Sequence, residues 1–382
     1  MKKVLYVFGG EKASGAEIVI QRLIDYNLAN VEPHLFVSPG RFADELTALN
    51  KPYPIIKVSR LRKLNRSTSS SLNFFSTAIG NYLRVSIAVY TYIRKNDINI
   101  IHANTVVPAS YLIPAIIFCR FFFPGKKWVW SDHDLQYFSK IDILCSKACV
   151  RLYDKTLVVS EAVKRKYRDR KSVFVLYNGL DLNLYKQNNQ DRIAFRRQYN
   201  FPDESLILTI AATISPRKGQ LQLIKVFKEI LTKRSNINLV VAGVYGPDDE
   251  KYNVAVENAI KGDSSIFYLG HVTDMVKLYC GSDVIINNSN KQGGEPLGTT
   301  IYEAMACEKV VIAADTGGTS EIITDREDGF IFAAEDENDL KKALEFVVTN
   351  ITSLNNIREN ARGKVERKFS LYTMSETYNN YI

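Results

Sequence analysis

No window of the chain approaches the roughly 18 consecutive apolar residues that a membrane-spanning helix needs. The 382 residues are therefore not expected to cross a bilayer. Cysteine is scarce: Cys119, Cys145, Cys149, Cys280 and Cys307 form no Cys-x-x-Cys pair, which excludes a disulfide framework and a zinc ribbon and suits a reducing cytoplasm. Histidine is scarcer still, and His34, His102, His133 and His271 show no metal-ligand spacing, so no metal is expected. A Walker A loop is missing, because Gly10 and Gly15 are followed by Ala16 and Glu17 where Lys-Ser/Thr would stand. Gly-x-Gly-x-x-Gly is missing too, as are short-period repeats and low-complexity segments. Nothing resembles a leader: Met1–Phe8 is a short strand-like run ending in Gly9-Gly10, and a cytoplasmic location is the expectation.

What is present is the composition of an ordinary globular protein, 46% hydrophobic and 24% charged, with ample core. The length suits two domains. The net charge of +9 is uneven: residues 1–200 hold 31 Lys+Arg against 15 Asp+Glu, and residues 201–382 hold 19 against 26. A basic first half predicts an anionic partner.

Short apolar runs alternate with helical patterns throughout. Val4–Phe8, His34–Ser38, Pro54–Val58, Asn99–Ala103, Lys127–Ser131, Thr156–Ser160 and Val173–Tyr177 read as buried strands. The pattern pauses over the polar, turn-rich stretch Asn178–Gln190. It resumes with Leu206–Thr213, Ile237–Gly243, Ser265–Gly270, Asp283–Asn287, Lys309–Ala313 and Gly329–Phe332. Strand–helix alternation of this kind predicts α/β architecture, two doubly wound parallel sheets with helices on both faces. The expected boundary lies near residue 180, giving domains of 1–180 and 181–368 with a final segment, 369–382. Ligands of such sheets bind beyond the carboxyl ends of the strands, and in a two-domain pair those ends are expected to face each other across a cleft.

The chain is organised around Asn287–Glu321, which reads as strand end, loop, helix, strand and Gly-Gly turn. Glu295 lies on the loop, Glu303 eight positions later on a helix beginning near Thr299, and Gly317-Gly318 form the turn. Two carboxylates flanking a helix N-terminus suit a polyhydroxylated ligand that carries phosphate; a solvated loop before an ordinary helix is the plainer reading. Ser215-Pro216-Arg217-Lys218-Gly219 places two cations at the expected start of a helix, where they repel its dipole unless a diphosphate offsets the repulsion. Gly9–Glu17 is either a loose strand-to-helix turn or a backbone surface for a diphosphate or sugar. His133, between Asp132 and Asp134, is either a satisfied histidine or a polar contact to the reacting group. His102 reads as a strand-end core residue.

Three basic runs stand out in the first half: Lys57, Arg60, Arg62, Lys63 and Arg66; Arg120 to Lys127, with Phe121, Phe122 and Phe123; and Lys164 to Lys171. Cations beside clustered aromatics fit an anionic membrane surface better than nucleic acid, for which no recognised motif is present.

Taken together, these motifs resemble the retaining glycosyltransferases of family 4, the group 1 transferases with the GT-B fold. The resemblance covers nearly the whole chain in the family's order. Ser14–Glu17 is similar to its Gly-Gly-Ala-Glu opening, and Val158–Tyr185 to its strand–helix–strand passage ending in Asn-Gly-Ile/Val-Asp. Ser215–Gly219 resembles its Arg/Lys-Lys-Gly phosphate site. Leu239–Gly243 and Tyr268–Val272 resemble its donor-base region, and Glu295–Ala306 its paired-Glu motif.

The resemblance implies transfer of a sugar from a nucleotide diphosphate sugar to a glycan or lipid-linked acceptor, with retention and without a metal or other cofactor. It implies that Glu295 holds sugar hydroxyls, Glu303 the ribose, and Arg217 and Lys218 the leaving diphosphate. It further implies backbone phosphate contacts at Leu297, Gly298 and Thr299, a donor contact at Gly15, base packing at Val272, His133 near the sugar, and a last helix crossing back to the first domain. Pro296-Leu297-Gly298 departs from the family's frequent Gly-Phe-Gly. A nucleotide-sugar epimerase of the same fold and a non-catalytic basic-surface protein are the rival expectations.

Overall fold

The structure, a computed structural model, describes the chain except residues 62–70, 138, 169, 203, 235 and 248, and for residues 71–75 the backbone alone. It divides into two compact units, Met1–Gly179 with Leu371–Ile382, and Leu180–Ser370.

In unit 1 seven strands, β1 (Lys2–Phe8), β2 (Val31–Val37), β3 (Ile55–Lys57), β4 (Ile100–Asn104), β5 (Lys127–Asp132), β6 (Lys155–Val158) and β7 (Val173–Val175), form one parallel sheet in the order β3-β2-β1-β4-β5-β6-β7. Its helices are α1 (Gly15–Tyr26), α2 (Arg41–Ala48), α3 (Ser71–Asn96), α4 (Val106–Tyr111), α5 (Ile113–Phe122), α6 (Lys140–Leu152) and α7 (Glu161–Lys164). In unit 2 the sheet order is β10-β9-β8-β11-β12-β13, from β8 (Leu206–Ala211), β9 (Ile237–Ala242), β10 (Ile266–Gly270), β11 (Val284–Asn287), β12 (Val310–Ala314) and β13 (Phe330–Phe332). Its helices are α8 (Asn189–Gln198), α9 (Gln220–Leu231), α10 (Glu250–Ile260), α11 (Met275–Gly281), α12 (Thr299–Ala306), α13 (Thr319–Ile322), α14 (Glu337–Asn350) and α15 (Asn355–Lys368). The last helix, α16 (Leu371–Tyr381), belongs to unit 1.

The apolar runs become central strands because they are covered on both faces: Val4–Phe8 and Val310–Ala314 are wholly buried. The helices cover them with one stripe each, such as Val19, Ile20, Leu23 and Ile24 on α1 and Leu223, Ile224, Phe227 and Ile230 on α9, at the spacing of a single helical face. Side chains stop the strands from running on by starting helices. Ser139 accepts from the Asp142 N–H at 3.1 Å, Asp249 from the Tyr252 N–H at 2.9 Å and Asp274 from the Lys277 N–H at 2.9 Å.

Met374, Tyr378 and Ile382, from the last helix and the residue after it, join the core of unit 1. Tyr378 Oη lies 2.9 Å from His102 Nδ1, whose Nε2 lies 2.7 Å from Ser131 Oγ. His102 is thus the core residue its position on a strand predicts, and burial holds its imidazole down at about 3, with His133 adding to the shift. All five cysteines are free thiols.

Candidate active site

Each sheet reverses its winding once, between β1 and β4 in unit 1 and between β8 and β11 in unit 2. Chains leave such a pair in opposite directions and open a crevice beyond the strand ends, where ligands of this architecture bind. In unit 2 that crevice gathers the loop after β8, Ala212 to Gly219, and the loop after β11, Asn288 to Gly298.

Lys218 and Glu295, 77 positions apart, form an ion pair there through Nζ and Oε1. Ser289 Oγ donates to the same carboxylate oxygen at 2.6 Å and lies 3.3 Å from Lys218 Nζ. Both charged side chains are largely buried, 17% and 13% exposed. Burial alone would raise the Glu295 carboxyl; the Lys218 charge and hydrogen bond, the Ser289 hydroxyl and the Arg217 charge outweigh it, so the group stays ionised below its usual range. Arg217 is exposed and accepts, through its backbone oxygen, the Asn290 N–H at 2.8 Å. A Cβ on Gly293 would sit 2.5 Å from Arg217 Cγ, so the Gly293-Gly294 loop before Glu295 lies directly along the arginine.

The cations do not start a helix, as their position after Ser215-Pro216 suggested. They occupy a single 3-10 turn, Pro216–Lys218, and α9 begins only at Gln220. Gly219 separates the two with left-handed backbone, φ +63, and a Cβ there would meet the Asn288 carbonyl oxygen at 2.5 Å. The turn is thereby held against the β11 loop and away from the α9 axis.

Glu295 is fixed through its backbone as well. Gly318 donates to its carbonyl oxygen at 2.9 Å. Gly317, at φ +56, leaves no room for a Cβ beside that oxygen. Beyond Leu297, which is buried, α12 starts at Thr299 after Gly298, whose φ is +82 and which supplies no side-chain cap; the first turn carries no acidic residue. Its leading N–H groups therefore favour an anion. Glu303, inside α12, is buried and accepts from Tyr279 Oη at 2.8 Å, while burial and the Glu303 charge push that phenol's pKa up. Val272, past β10, is half-buried and packs on the cluster of Phe195, Phe201, Val240, Ala242 and Leu278. Ser289, Tyr279 and the contact of Gly317-Gly318 with Glu295 escaped the sequence reading; the Gly-Gly pair was visible as a turn, but its target, some 20 positions earlier, was not.

In unit 1 the corresponding crevice holds Gly9 after β1 and Asn104 at the end of β4. A Cβ on Gly9 would meet Pro108 Cδ at 2.9 Å, and one on Gly10 would meet Glu17 Oε1 at 2.7 Å. Glu17 is buried and accepts from the Ser14 N–H at 3.1 Å, which ties down the start of α1; Gly15 is the first residue of that helix and has open space where a Cβ would be. His133 Nε2 lies 2.8 Å from Asn104 Oδ1. A carboxamide oxygen only accepts, so Nε2 carries the proton and Nδ1 keeps its lone pair. The ring stays in partial contact with solvent yet lies deep among other atoms. Burial pushes its pKa down to about 4, a shift that Asp132 opposes and Lys166 adds to. His133 is thus neutral at neutral pH.

Asp132 is committed elsewhere: Lys166 Nζ reaches it at 2.6 Å and Tyr167 Oη at 2.5 Å. Lys166, expected in an exposed basic run, is therefore a buried partner, its side chain 9% exposed. Other cations of the three runs also meet carboxylates: Lys57 Asp44 at 2.6 Å, Arg120 Asp154 at 3.3 Å, Lys126 Asp97 at 3.0 Å and Lys164 Glu161 at 3.3 Å. Arg62, Lys63 and Arg66 lie outside the described residues. No helix among the described residues is long and apolar enough to cross a membrane.

Comparison with known proteins matches residues 13–184 to the model of Glycosyltransferase Family 4 and residues 191–364 to that of Glycosyl transferases group 1. A lipopolysaccharide 1,2-N-acetylglucosaminetransferase of Salmonella typhimurium is 35% identical over 205 residues, covering 50% of this chain and 53% of that protein. A putative glycosyltransferase of Bacillus subtilis, YtcC, is 27% identical over 269 residues, 65% of this chain and 64% of that protein. The chain thus spans between half and two thirds of the length of these curated relatives. Among solved structures, Anabaena HepE in complex with UDP superposes with a TM-score of 0.82 over 100% of this chain and 99% of that one, at 20% identity, a likeness of fold. With one model on each half, between them reaching from residue 13 to residue 364, the chain belongs to the group 1, family 4-like glycosyltransferases and has their two-domain α/β GT-B fold.

Proposed function

We propose that this protein transfers a sugar, with retention of anomeric configuration, from a nucleotide diphosphate sugar to a glycan or lipid-linked glycan at an anionic membrane surface, in the making of a cell-surface polysaccharide. The observation that carries the reading is the Lys218–Glu295–Ser289 cluster at the β8/β11 crevice, beside the uncapped start of α12. The Salmonella relative is named as a lipopolysaccharide sugar transferase, and the Anabaena neighbour has been solved with UDP and with UDP-glucose.

Breaking the bond between the anomeric carbon and the diphosphate builds negative charge on the leaving group and positive charge on the ring. Arg217, Lys218 and the N–H groups from Leu297 to Thr299 would stabilise the first, as fixed charges and dipoles that need no reorganisation and no metal. A diphosphate arriving at Lys218 competes with Glu295 for the ammonium and turns that carboxylate toward sugar hydroxyls. Glu303 would hold the ribose and Val272 the base. In unit 1, Gly15 would offer its backbone to the donor, and His133, neutral and with Nδ1 free of its proton, would accept from a sugar hydroxyl. Neither glutamate is assigned proton transfer. A lipid surface is favoured over nucleic acid as the anionic partner by the clustered aromatics.

The test is release of nucleotide from a panel of nucleotide diphosphate sugars with candidate acceptors, followed by the anomeric configuration of the product by NMR. Wild type should turn over at least one donor with retention, and Lys218→Ala and Glu295→Gln should lose transfer. Turnover of no donor, an inverted product, or variants as active as wild type would each overturn the reading in the corresponding part.

A further inference from the structure

Unit 1 exposes a broad apolar face that the site does not use. On α3, Ile79, Leu83 and Ile87 follow one another at every fourth residue, all more than half exposed, so they form a single stripe. Helix α5 packs beside α3, with Tyr90 edge-on to Phe118 at 4.9 Å. It turns Phe121, 80% exposed, and Phe122, 62% exposed, outward. Helix α6 packs against α5 in turn and adds Ile141 and Leu144, the latter 69% exposed. Monomeric soluble domains rarely leave so many large apolar side chains together on one surface.

The charges around this face have one sign. α3, α5 and α6 carry seven Lys or Arg and a single acidic residue, Asp142, and Asp142 is engaged at the start of α6, where the Ser139 hydroxyl donates to it at 2.8 Å. On α6 the exposed residues Lys140, Leu144, Lys147 and Arg151 share one stripe, so cations continue the apolar row. Arg84 sits exposed beside Leu83. These four cations make no ion pair among the described residues. In the basic runs, by contrast, Lys57, Arg120, Lys126, Lys164 and Lys166 are paired with Asp44, Asp154, Asp97, Glu161 and Asp132.

We infer that the α3–α5–α6 face is the surface by which this protein lies on an anionic bilayer, with Phe121, Phe122 and Leu144 entering the headgroup boundary and Arg84, Lys147 and Arg151 meeting lipid phosphates. An apolar centre beside unpaired cations is the pattern of an interfacial anchor. A second copy of the chain is a poorer occupant, because pairing this face with itself brings like charges together. The inference rests on the membrane part of the proposed function; it keeps Phe121 and Phe122 of the second basic run and extends the contact to α3 and α6.

The test is sedimentation of the full chain with vesicles of phosphatidylcholine, with and without phosphatidylglycerol, alongside circular dichroism and sedimentation equilibrium. Wild type should bind the phosphatidylglycerol vesicles and release them at high salt. Phe121→Ser with Phe122→Ser should lower partitioning about tenfold or more while the thermal unfolding midpoint holds, since both side chains are already in solvent. Lys147→Ser with Arg151→Ser should remove the preference for phosphatidylglycerol. The control pair Lys57→Ser with Lys164→Ser should bind as wild type. Binding by wild type that the Phe and α6 variants leave unchanged would overturn the assignment of this face alone. Failure of wild type to bind, with sugar transfer intact, would overturn the membrane part of the proposed function with it. A dimer abolished by the Phe121 variant, with no vesicle binding, would give the face to a second copy.

Discussion

The N–H of Gly318 donates to the carbonyl oxygen of Glu295 at 2.9 Å, and Gly317 beside it leaves no space for a side chain. A turn after β12 therefore sets where the central carboxylate of the crevice stands. Replacing Gly317 by Ala would put a Cβ into the Glu295 backbone and load a left-handed conformation that costs a non-glycine residue about 1–2 kcal/mol by itself. Gly317→Ala is expected to lower the unfolding free energy by at least that amount and to cut transfer well beyond the loss of folded protein. Equilibrium unfolding with a parallel activity assay checks it. An active variant of wild-type stability would show the turn has no hold on Glu295.

Lys218 and Glu295 make a pH-dependent pair. The folded carboxyl lies below its ordinary value, so the stability it contributes is present above the unfolded-state pKa and fades as pH falls through the lower folded value. In Lys218→Ala the burial remains and the largest opposing charge is gone. The carboxyl should then rise, and the stability that this group loses on acidification should shrink or change sign relative to wild type. Transfer at neutral pH should fall about 10²–10³-fold, the scale for losing one pre-organised electrostatic contact. Urea titrations across pH 3–7 and initial rates would show both.

Much of this arrangement was legible in the residues, and the part that was not has a physical reason. Runs such as Val4–Phe8 and Val310–Ala314 announce themselves because a strand covered on both faces must be continuously apolar. Glu295, Lys218 and His133 stand out because each follows such a run. Partnership across the fold is another matter. Lys166 looks like one cation in a charged stretch, and only the pairing of β5 with β6 brings the segment that follows β6 to Asp132. Ser289 is one more small polar residue until the β11 loop meets the turn after β8. Phe121 and Phe122 stood out as aromatics beside Arg120, but the exposed Ile79, Leu83 and Ile87 of α3 and Leu144 of α6 did not, because only the packing of α5 against α3 and α6 brings those helices beside them.

The Asp132–Lys166 pair is expected to be costly to break. Both side chains are nearly buried, and removing one partner of such a pair leaves an uncompensated charge, at about 3–5 kcal/mol. Lys166→Met should lower the stability of unit 1 by that order, whereas Lys57→Met, in the exposed pair with Asp44, should change it by no more than about 1 kcal/mol. Chemical denaturation of the two variants decides it. Equal effects would mean that Asp132 finds another partner or a proton.

His133 should be silent near neutrality. Its folded pKa of about 4 lies below the ordinary 6.5, so between those values the unfolded chain binds the proton and the folded chain does not. Stability from this group is complete above about 6.5 and declines as pH falls toward 4, and His102, held near 3, adds in the same direction. The rate profile should therefore carry no histidine inflection between pH 5.5 and 8, and the His133 resonances should titrate only near pH 4. Asn104→Leu removes the acceptor for Nε2–H; the ring loses its fixed tautomer, and transfer should fall with little change in the urea midpoint. An inflection near 6.5 that disappears in His133→Gln would mean that the imidazole is not held neutral.

Tyr279 offers the most selective handle on Glu303. Its hydroxyl donates to Oε2 at 2.8 Å in a buried setting, and a hydrogen bond to a charged group contributes about 1.5–3 kcal/mol. Tyr279→Phe keeps the packing and removes the donor, so the Glu303 carboxylate loses one of the groups that orient it. If Glu303 holds the ribose, that contact is made equally to the bound donor and to the transition state. Uniform binding lost in this way raises KM and leaves kcat alone. The expected outcome is a rise of about tenfold or more in the KM for the donor, with kcat within a factor of two and the KM for the acceptor unmoved. A fall in kcat at constant KM would place Glu303 at the reacting bond instead, and would make its separation from Glu295 a difference of position without a difference of task.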